Sequence, residues 1–371
     1  MTLATGSPLS HSLARQLLDW YQENRRDLPW RNTRDPYAIT VAEFMLHQTR
    51  VQTVLPYYQR FLKLFPTWGS LAEARLDEVL KAWEGLGYYA RARNLHALAQ
   101  QVCVQYDGDL PNSLEALLAL PGIGPYTAGA ILSICFGQDR PAIDGNAKRV
   151  LSRMFGIKTD LTTPKGAKRI QELASTLLPP GQAGTFNQAL MDLGATICTA
   201  SHPACSQCPW HEECQAWRLH IQEELPVRRP KKATPHYDIA AGVIWRDGFI
   251  LIAQRPPGGL LGGLWEFPGG KREPGESLEA CLIREVREEL GIEIQVGEPL
   301  AQVHHAYTHF RITLYAYHCR YVSGEPQNFG CAAWKWIQPH ELCDYAFPAA
   351  NRTIIQALQA GHHPSRDAPS L

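Results

Sequence analysis

Four cysteines crowd into residues 198–214 of this 371-residue chain, where Cys198, Cys205, Cys208 and Cys214 read C-x6-C-x2-C-x5-C. Four soft thiolates on so short a loop can close around one metal centre, either zinc or a cubic iron-sulfur cluster. Zinc ribbons pair two C-x2-C knuckles, whereas a single knuckle here carries longer arms on both sides, a spacing that favours [4Fe-4S]. The remaining cysteines of the ten are scattered, unlike the disulfide framework of a small secreted chain.

A second constellation lies upstream. Residues 112–132, NSLEALLALPGIGPYTAGAIL, read as a helix capped by Asn112 or Ser113 and ending at Pro121, a tight turn, and a helix starting near Pro125. Gly122 and Gly124 let the backbone turn sharply and leave N–H groups at a helix N-terminus, where the dipole favours a phosphate. Taken alone, the segment could be a plain interhelical turn. Downstream, RPAIDGNAKRV places Asp144 after a short apolar stretch with Asn146 close behind. An acid there can face DNA gripped by the hairpin, although Asp144 would also serve as a helix N-cap.

A third lies near the C-terminus. Glu285, Glu288 and Glu289 fall at i, i+3 and i+4, so one helix face carries three carboxylates suited to holding Mg²⁺ against a diphosphate. Residues 270–292, GKREPGESLEACLIREVREELGI, satisfy G-x5-E-x7-R-E-U-x-E-E-x-G-U, the full Nudix signature. A solvated acidic helix face would explain the glutamates but not Gly270, Arg284 and Gly291 together.

The elements that must position these groups form two units. Apolar residues recur at helical spacing from Leu9 to about Cys214, so residues 1–220 are expected to be an all-α domain that includes the cysteine loop. Residues 221–236, IQEELPVRRPKKATPH, have the composition of a solvated linker. Alternating β-branched runs around one helical stretch make 237–360 an α+β domain, and 361–371 a disordered tail. Hydrophobic residues make up 45% of the chain, enough for two cores. The formal net charge is zero, so no global field advertises a nucleic-acid partner and DNA contacts must be local. The first residues lack a signal-peptide core and no apolar run is long enough to span a bilayer, so a cytoplasmic, nucleoid-associated monomer without membrane contact is expected.

The hairpin, the later aspartate and the cysteine loop together resemble the helix-hairpin-helix DNA glycosylase superfamily, in the branch containing endonuclease III and MutY. The resemblance spans nearly all of residues 9–217. In the bifunctional members the hairpin ends in a Schiff-base lysine, and Tyr126 stands at that position here, so strand cleavage by that route should be absent. The segment AEFMLHQTRV is similar to the MutY stretch with a catalytic glutamate, which places that role on Glu43. The resemblance implies that Glu43 protonates adenine N7 and then activates water, while Asp144 stabilises the oxocarbenium ion or bonds transiently to C1′, as in retaining glycosidases. Tyr126 and Asn146 would position the two carboxyls.

Reaching adenine in a duplex requires extruding it and filling the gap. The LHQT and GLGYY segments resemble the family's stack-inserting stretches and nominate Leu46, Gln48, Thr49, Leu86 and Tyr88, although Leu46 and Leu86 could be plain core residues. RRDLPWR resembles the adenine-pocket strip, with Arg26, Trp30 and Arg31, and Gln188 in NQALMDLGA could meet an adenine edge. Arg50 departs from the glutamine usual there, implying a modest change in DNA contact. HHAYTHFRI matches the loop that reads 8-oxoguanine opposite adenine and assigns that task to Tyr307, Thr308 and His309, where phenylalanine and serine are usual at the first two positions. The expected partner is therefore double-stranded DNA carrying 8-oxoguanine:A or G:A mispairs. Two other readings remain open: a nucleotide pyrophosphatase whose helical half only binds DNA, and a catalytically silent damage sensor.

Overall fold

A computed structural model describes residues 7–227 and 234–361. The expected tail lies outside the described residues beyond Gly361, as do residues 1–6 and the linker centre at 228–233. The helices run α1 Pro8–Asn24, α2 Pro36–Leu46, α3 Val51–Leu64, α4 Trp68–Glu73, α5 Leu76–Trp83, α6 Ala90–Tyr106, α7 Leu114–Leu118, α8 Pro125–Ile134, α9 Gly145–Met154, α10 Pro164–Leu177, α11 Ala183–Thr196, α12 Gln215–Arg218, α13 Leu278–Leu290 and α14 Ala349–Gln359. The strands are β1 His236–Arg246, β2 Phe249–Gln254, β3 Trp265–Glu266, β4 Gly269–Lys271, β5 Glu293–Ala306, β6 Arg311–Ser323 and β7 Ala333–Ile337. No described helix is long and apolar enough to cross a membrane.

Backbone proximity divides the chain into two compact units, Met1–Ala72 with Ala97–Lys231, and Glu73–His96 with Lys232–Leu371. Within the second, the Glu73–His96 segment is held by side-chain bonds: Gln254 Nε2 donates to Asp77 (2.9 Å), the Phe347 amide to Glu84 (3.1 Å), and Arg93 to the Gly262 carbonyl (2.6 Å).

Side-chain caps start several helices of the first unit. Asp35 accepts from the amides of Tyr37 and Ala38 with Pro36 at the first helical position, Ser113 caps α7, Asp144 caps α9, and Thr163 caps α10. The hairpin helix α7 is shorter than expected and stops at Leu118, three residues before Pro121. Its apolar core joins α1, α9, α10 and α11 and ends at the fully buried Trp210 of the cysteine loop. The expected tether starts later than its composition implies. Leu225 is buried and its carbonyl accepts from Arg153 Nε (2.9 Å), a contact that outweighs the polar character of its neighbours.

The second unit is a mixed sheet in the order β3-β2-β1-β6-β5, with β4 on β1 and β7 on β2. Strands β1 and β6 run parallel and the remaining pairs antiparallel. Alternation decides the two faces: Ile250 and Ile252 enter one core with α14 residues, and Leu251 enters the other with α13 residues.

One close approach positions the chemistry directly. At Gly194 on α11 a Cβ would lie 2.6 Å from the Cβ of Asn146 at the start of α9, so glycine alone lets the two helices meet there. Gly194→Ala should therefore destabilise the first unit by about 1–3 kcal/mol. A thermal melt of the full chain reads it as a lowered midpoint, and an unchanged midpoint would show that the helices separate at no cost.

Candidate active site

A cavity of about 930 Å³ opens in the first unit, lined by Glu43, Tyr126, Asp144 and Asn146 together with Arg26, Trp30, Arg31, Leu46, Gln48, Thr49 and Gln188. Eleven of the residues nominated from the sequence thus converge on one space, carried there by the start of α9, by α2, α8 and α11, and by the segments between α1 and α2 and between α2 and α3. Glu43 sits on the inner face of α2 and is buried. The Tyr126 hydroxyl donates to its Oε2 (2.6 Å). Burial raises the Glu43 carboxyl above its ordinary range; the Tyr126 bond and the Arg31 charge oppose that shift, and the Asp144 charge adds to it. Tyr126 is itself pushed well above the usual tyrosine value, by burial first and then by Glu43.

Asp144 is both things the sequence allowed. Its Oδ1 caps α9 by accepting from the Ala147 amide (2.7 Å), and its Oδ2 accepts from Asn146 Nδ2 (2.8 Å). Burial raises this carboxyl too, but the Ala147 amide, Asn146 and the Arg149 charge all work to keep it ionised. Arg149 extends the chain of contacts, donating to Asn146 Oδ1 (2.7 Å), the Gly194 carbonyl (2.6 Å) and the Cys198 carbonyl (2.7 Å). The hairpin feeds Tyr126 in: Gly122 has a φ of +75° that a side chain would resist, buried Ile123 anchors the turn, and Gly124 is the N-cap of α8.

Arg26 and Arg31 converge on a residue the sequence reading missed. Asp192 is fully buried on α11, and its Oδ1 receives Arg26 NH2 (2.6 Å), Arg26 Nε (3.1 Å) and Arg31 NH2 (2.9 Å). Trp30 is buried edge-on against Tyr58, and Gln188 Oε1 accepts from the Tyr21 hydroxyl (3.1 Å). Gln48 is exposed at the cavity rim with φ at +60°, Thr49 is half-buried, and exposed Arg50 also lines the rim. Leu86 and Tyr88 are not among the lining residues. Leu86 is buried, which favours its core reading, whereas Tyr88 is exposed in a left-handed conformation.

The four loop cysteines pack beside the first core, with Cys198, Cys208 and Cys214 against it. They lie near enough that Cys198 and Cys214 raise the Cys205 and Cys208 thiols, and burial is the leading cause that pushes Cys208 to about 12. Buried Arg153 donates to Cys198 Sγ (3.4 Å) and to the Thr199 carbonyl (2.6 Å), a second residue missed from sequence. Among the described residues no three His, Cys, Asp or Glu side chains stand at metal-ligand spacing. The donor set nonetheless fits a four-thiolate centre: four soft sulfur donors of one loop lie within electrostatic reach of one another, and a cationic centre would hold them as thiolates.

In the second unit, Ser277 caps α13 and Gly291 ends it at φ +70°. A Cβ at Gly270 would meet the Glu285 carboxylate at 2.3 Å, which explains glycine there. Arg284 ties together the acids of the signature, bonding Glu276 (2.8 Å), Glu285 (3.0 Å) and Glu288 (3.2 Å). Glu289 is pushed up to about 7 by burial and then by Glu266 and Glu285. Two of the three expected Mg²⁺ ligands, Glu285 and Glu288, therefore also bond a guanidinium. Tyr307, Thr308 and His309 form the β5–β6 turn, closed by the Tyr307 amide donating to the Phe310 carbonyl (2.8 Å). Thr308 and His309 are exposed, and within this unit the hydroxyls of Thr308 and Tyr88 are 2.6 Å apart.

Comparison with known proteins agrees with this geometry. Residues 41–180 match the HhH-GPD superfamily of base excision DNA repair proteins, and residues 240–357 match the NUDIX domain. The chain is 34% identical to an adenine DNA glycosylase of Homo sapiens over 92% of its own length and 73% of the relative's. It is 35% identical to an adenine DNA glycosylase of Buchnera aphidicola, covering 79% of this chain and 82% of that one. A solved thermostable thymine-DNA glycosylase shares 33% identity over 56% of this chain and 95% of its own, with a TM-score of 0.52. This chain belongs to the adenine DNA glycosylase family, with a helix-hairpin-helix base excision repair domain followed by a Nudix domain.

Proposed function

We propose that this protein removes adenine mispaired with 8-oxoguanine or guanine, hydrolysing its bond to deoxyribose without cutting the strand. The observation that carries the reading is the pair of carboxyls in one cavity, buried Glu43 held by a tyrosine hydroxyl and half-buried Asp144 by an amide N–H and an asparagine. Removing a purine requires a proton on the leaving base and negative charge beside the cationic sugar. Burial favours the protonated form of Glu43, the donor for adenine N7, and the donors around Asp144 favour its charged form beside C1′. Tyr126 fixes the Glu43 carboxyl in place and cannot supply the amine that a Schiff base needs. Arg26, Trp30, Arg31 and Gln188 enclose the extruded base, while Leu46, Gln48 and Thr49 stand at the rim where the duplex gap would be filled.

Tyr307, Thr308 and His309 present an exposed turn for the oxidised guanine, and Tyr88 meets Thr308 there. Arg284 bonds one oxygen each of Glu285 and Glu288 and leaves the other oxygen of each, with Glu289, to hold Mg²⁺ for a nucleoside diphosphate hydrolase activity of the second unit. Cys198, Cys205, Cys208 and Cys214 would hold a [4Fe-4S] cluster whose role here is to fix the loop that Arg149 and Arg153 grip. We keep 1–220 for base excision and 237–360 for lesion reading as domain limits, with Glu73–His96 grouped with the second unit by backbone proximity, in a monomer acting on DNA in the cytoplasm.

Single-turnover adenine release from 8-oxoguanine:A, G:A and T:A duplexes tests the reaction. Release should be fastest from the first and negligible from the last, and Glu43→Gln and Asp144→Asn should each slow it by at least about 10²-fold. Thr308→Ala should narrow the difference between the first two duplexes. Equal rates in wild type and both acid variants would remove the assignment. Product strands should stay intact until heated with alkali; spontaneous scission would show that another amine replaces the missing lysine. Iron and sulfide should copurify with the full chain and fall with Cys208→Ser, whereas zinc in their place would overturn the cluster.

A further inference from the structure

Two guanidiniums on one carboxylate oxygen make an unusual corner of the cavity. Arg26 and Arg31 both bond Asp192 Oδ1, and the Arg26 amide donates to Oδ2 (3.3 Å), so a single fully buried acid fixes the strip at its backbone and at both side chains. The Arg31 side chain is nearly buried, and its Nε has no hydrogen-bond partner among the described residues. Asp192 is thus the anion to which Arg31 is bonded, while the same guanidinium acts electrostatically on Glu43 and Tyr126 across the cavity.

We propose that Asp192 is a positioning residue for base excision: it clamps Arg26 and Arg31 side by side on the cavity wall and offsets the positive charge that Arg31 turns on Glu43. The proposal rests on the reading of Glu43 as the proton donor. Glu43 shares its surroundings with Arg31 from the Pro29–Arg31 turn, Tyr126 and Cys135 from the two ends of α8, His47 and Arg50 beyond its own helix, and Asp144, Lys148 and Arg149 at the start of α9. Most of these cations have local partners or stand at the rim. Arg31 is the cation named among the forces on Glu43, and it favours the carboxylate.

The sign follows. A general acid works in its protonated form, so the rate falls as pH rises through the Glu43 value. Without the charge of Asp192, Arg31 favours the carboxylate more strongly and the falling limb moves to lower pH. Without the charge of Arg31, the limb moves to higher pH. Adding or removing a neighbouring charge shifts such groups by about one pH unit.

The test is the pH profile of single-turnover adenine release by the full chain at saturating enzyme, for wild type, Asp192→Asn, Asp192→Glu and Arg31→Gln. The falling limb should move down by about one unit in Asp192→Asn, stay near wild type in Asp192→Glu, and move up in Arg31→Gln. A residue that only stabilises the fold would lower the rate at every pH and leave the limb in place. If Asp192→Asn does not fold, the upward shift in Arg31→Gln and the unmoved limb in Asp192→Glu still decide. A limb unmoved by Arg31→Gln, or moved the same way by Asp192→Asn and Arg31→Gln, overturns the proposal alone. A wild-type profile with no falling limb overturns Glu43 as the acid, and this proposal with it.

Discussion

Glu43 and Asp144 line one cavity, and the charge of Asp144 raises the cost of ionising Glu43. Two like charges in such a space do not both persist without compensation, so the pair is pushed toward one proton held and one released. Which carboxyl keeps the proton is decided by donors. Asp144 receives an amide N–H at a helix start, an asparagine and the field of Arg149, whereas Glu43 receives one tyrosine hydroxyl and the field of Arg31. The hairpin that delivers Tyr126, the cap that orients Asp144 and the glycine contact between α9 and α11 all serve that asymmetry.

The cysteine loop bears on the same site from behind. Arg149 joins Asn146 to the Cys198 carbonyl, and Arg153 joins Cys198 to Thr199, Ala200 and Leu225. Both arginines lie on α9, the helix that Asp144 caps, so the loop and the carboxylate are held by one rigid element. Disorder in the loop would thus reach Asp144 through two turns of helix. This gives the loop a mechanical role that needs no electron transfer.

Much of this was legible in the sequence, for physical reasons. Capping residues, the Pro-Gly turn and helical spacing are local signals, and they located the hairpin, α9 and the second unit's helix closely. Asp144 could be read from its position after the hairpin. Glu43 could not, because helical periodicity marks it as one more residue in an apolar stretch and only family resemblance singled it out. Asp192 and Arg153 stayed hidden, since a buried ion pair depends on partners more than forty residues away and an acid or arginine in a helix reads as surface. Leu225 shows the converse: its polar and charged neighbours read as a solvated tether, and tertiary packing buries it. The glutamates of α13 were placed on one face correctly, but their engagement by Arg284 depends on rotamers that spacing does not specify.

The claim that the two acids are held in different protonation states is tested most directly by a carboxyl-carbon NMR titration of the full chain labelled at Glu and Asp, assigned with Glu43→Gln and Asp144→Asn. Glu43 should stay protonated to distinctly higher pH than Asp144, with both above their ordinary values. A Glu43 carbon that titrates in the usual glutamate range, or below Asp144, would contradict the account and reverse the roles assigned to the pair.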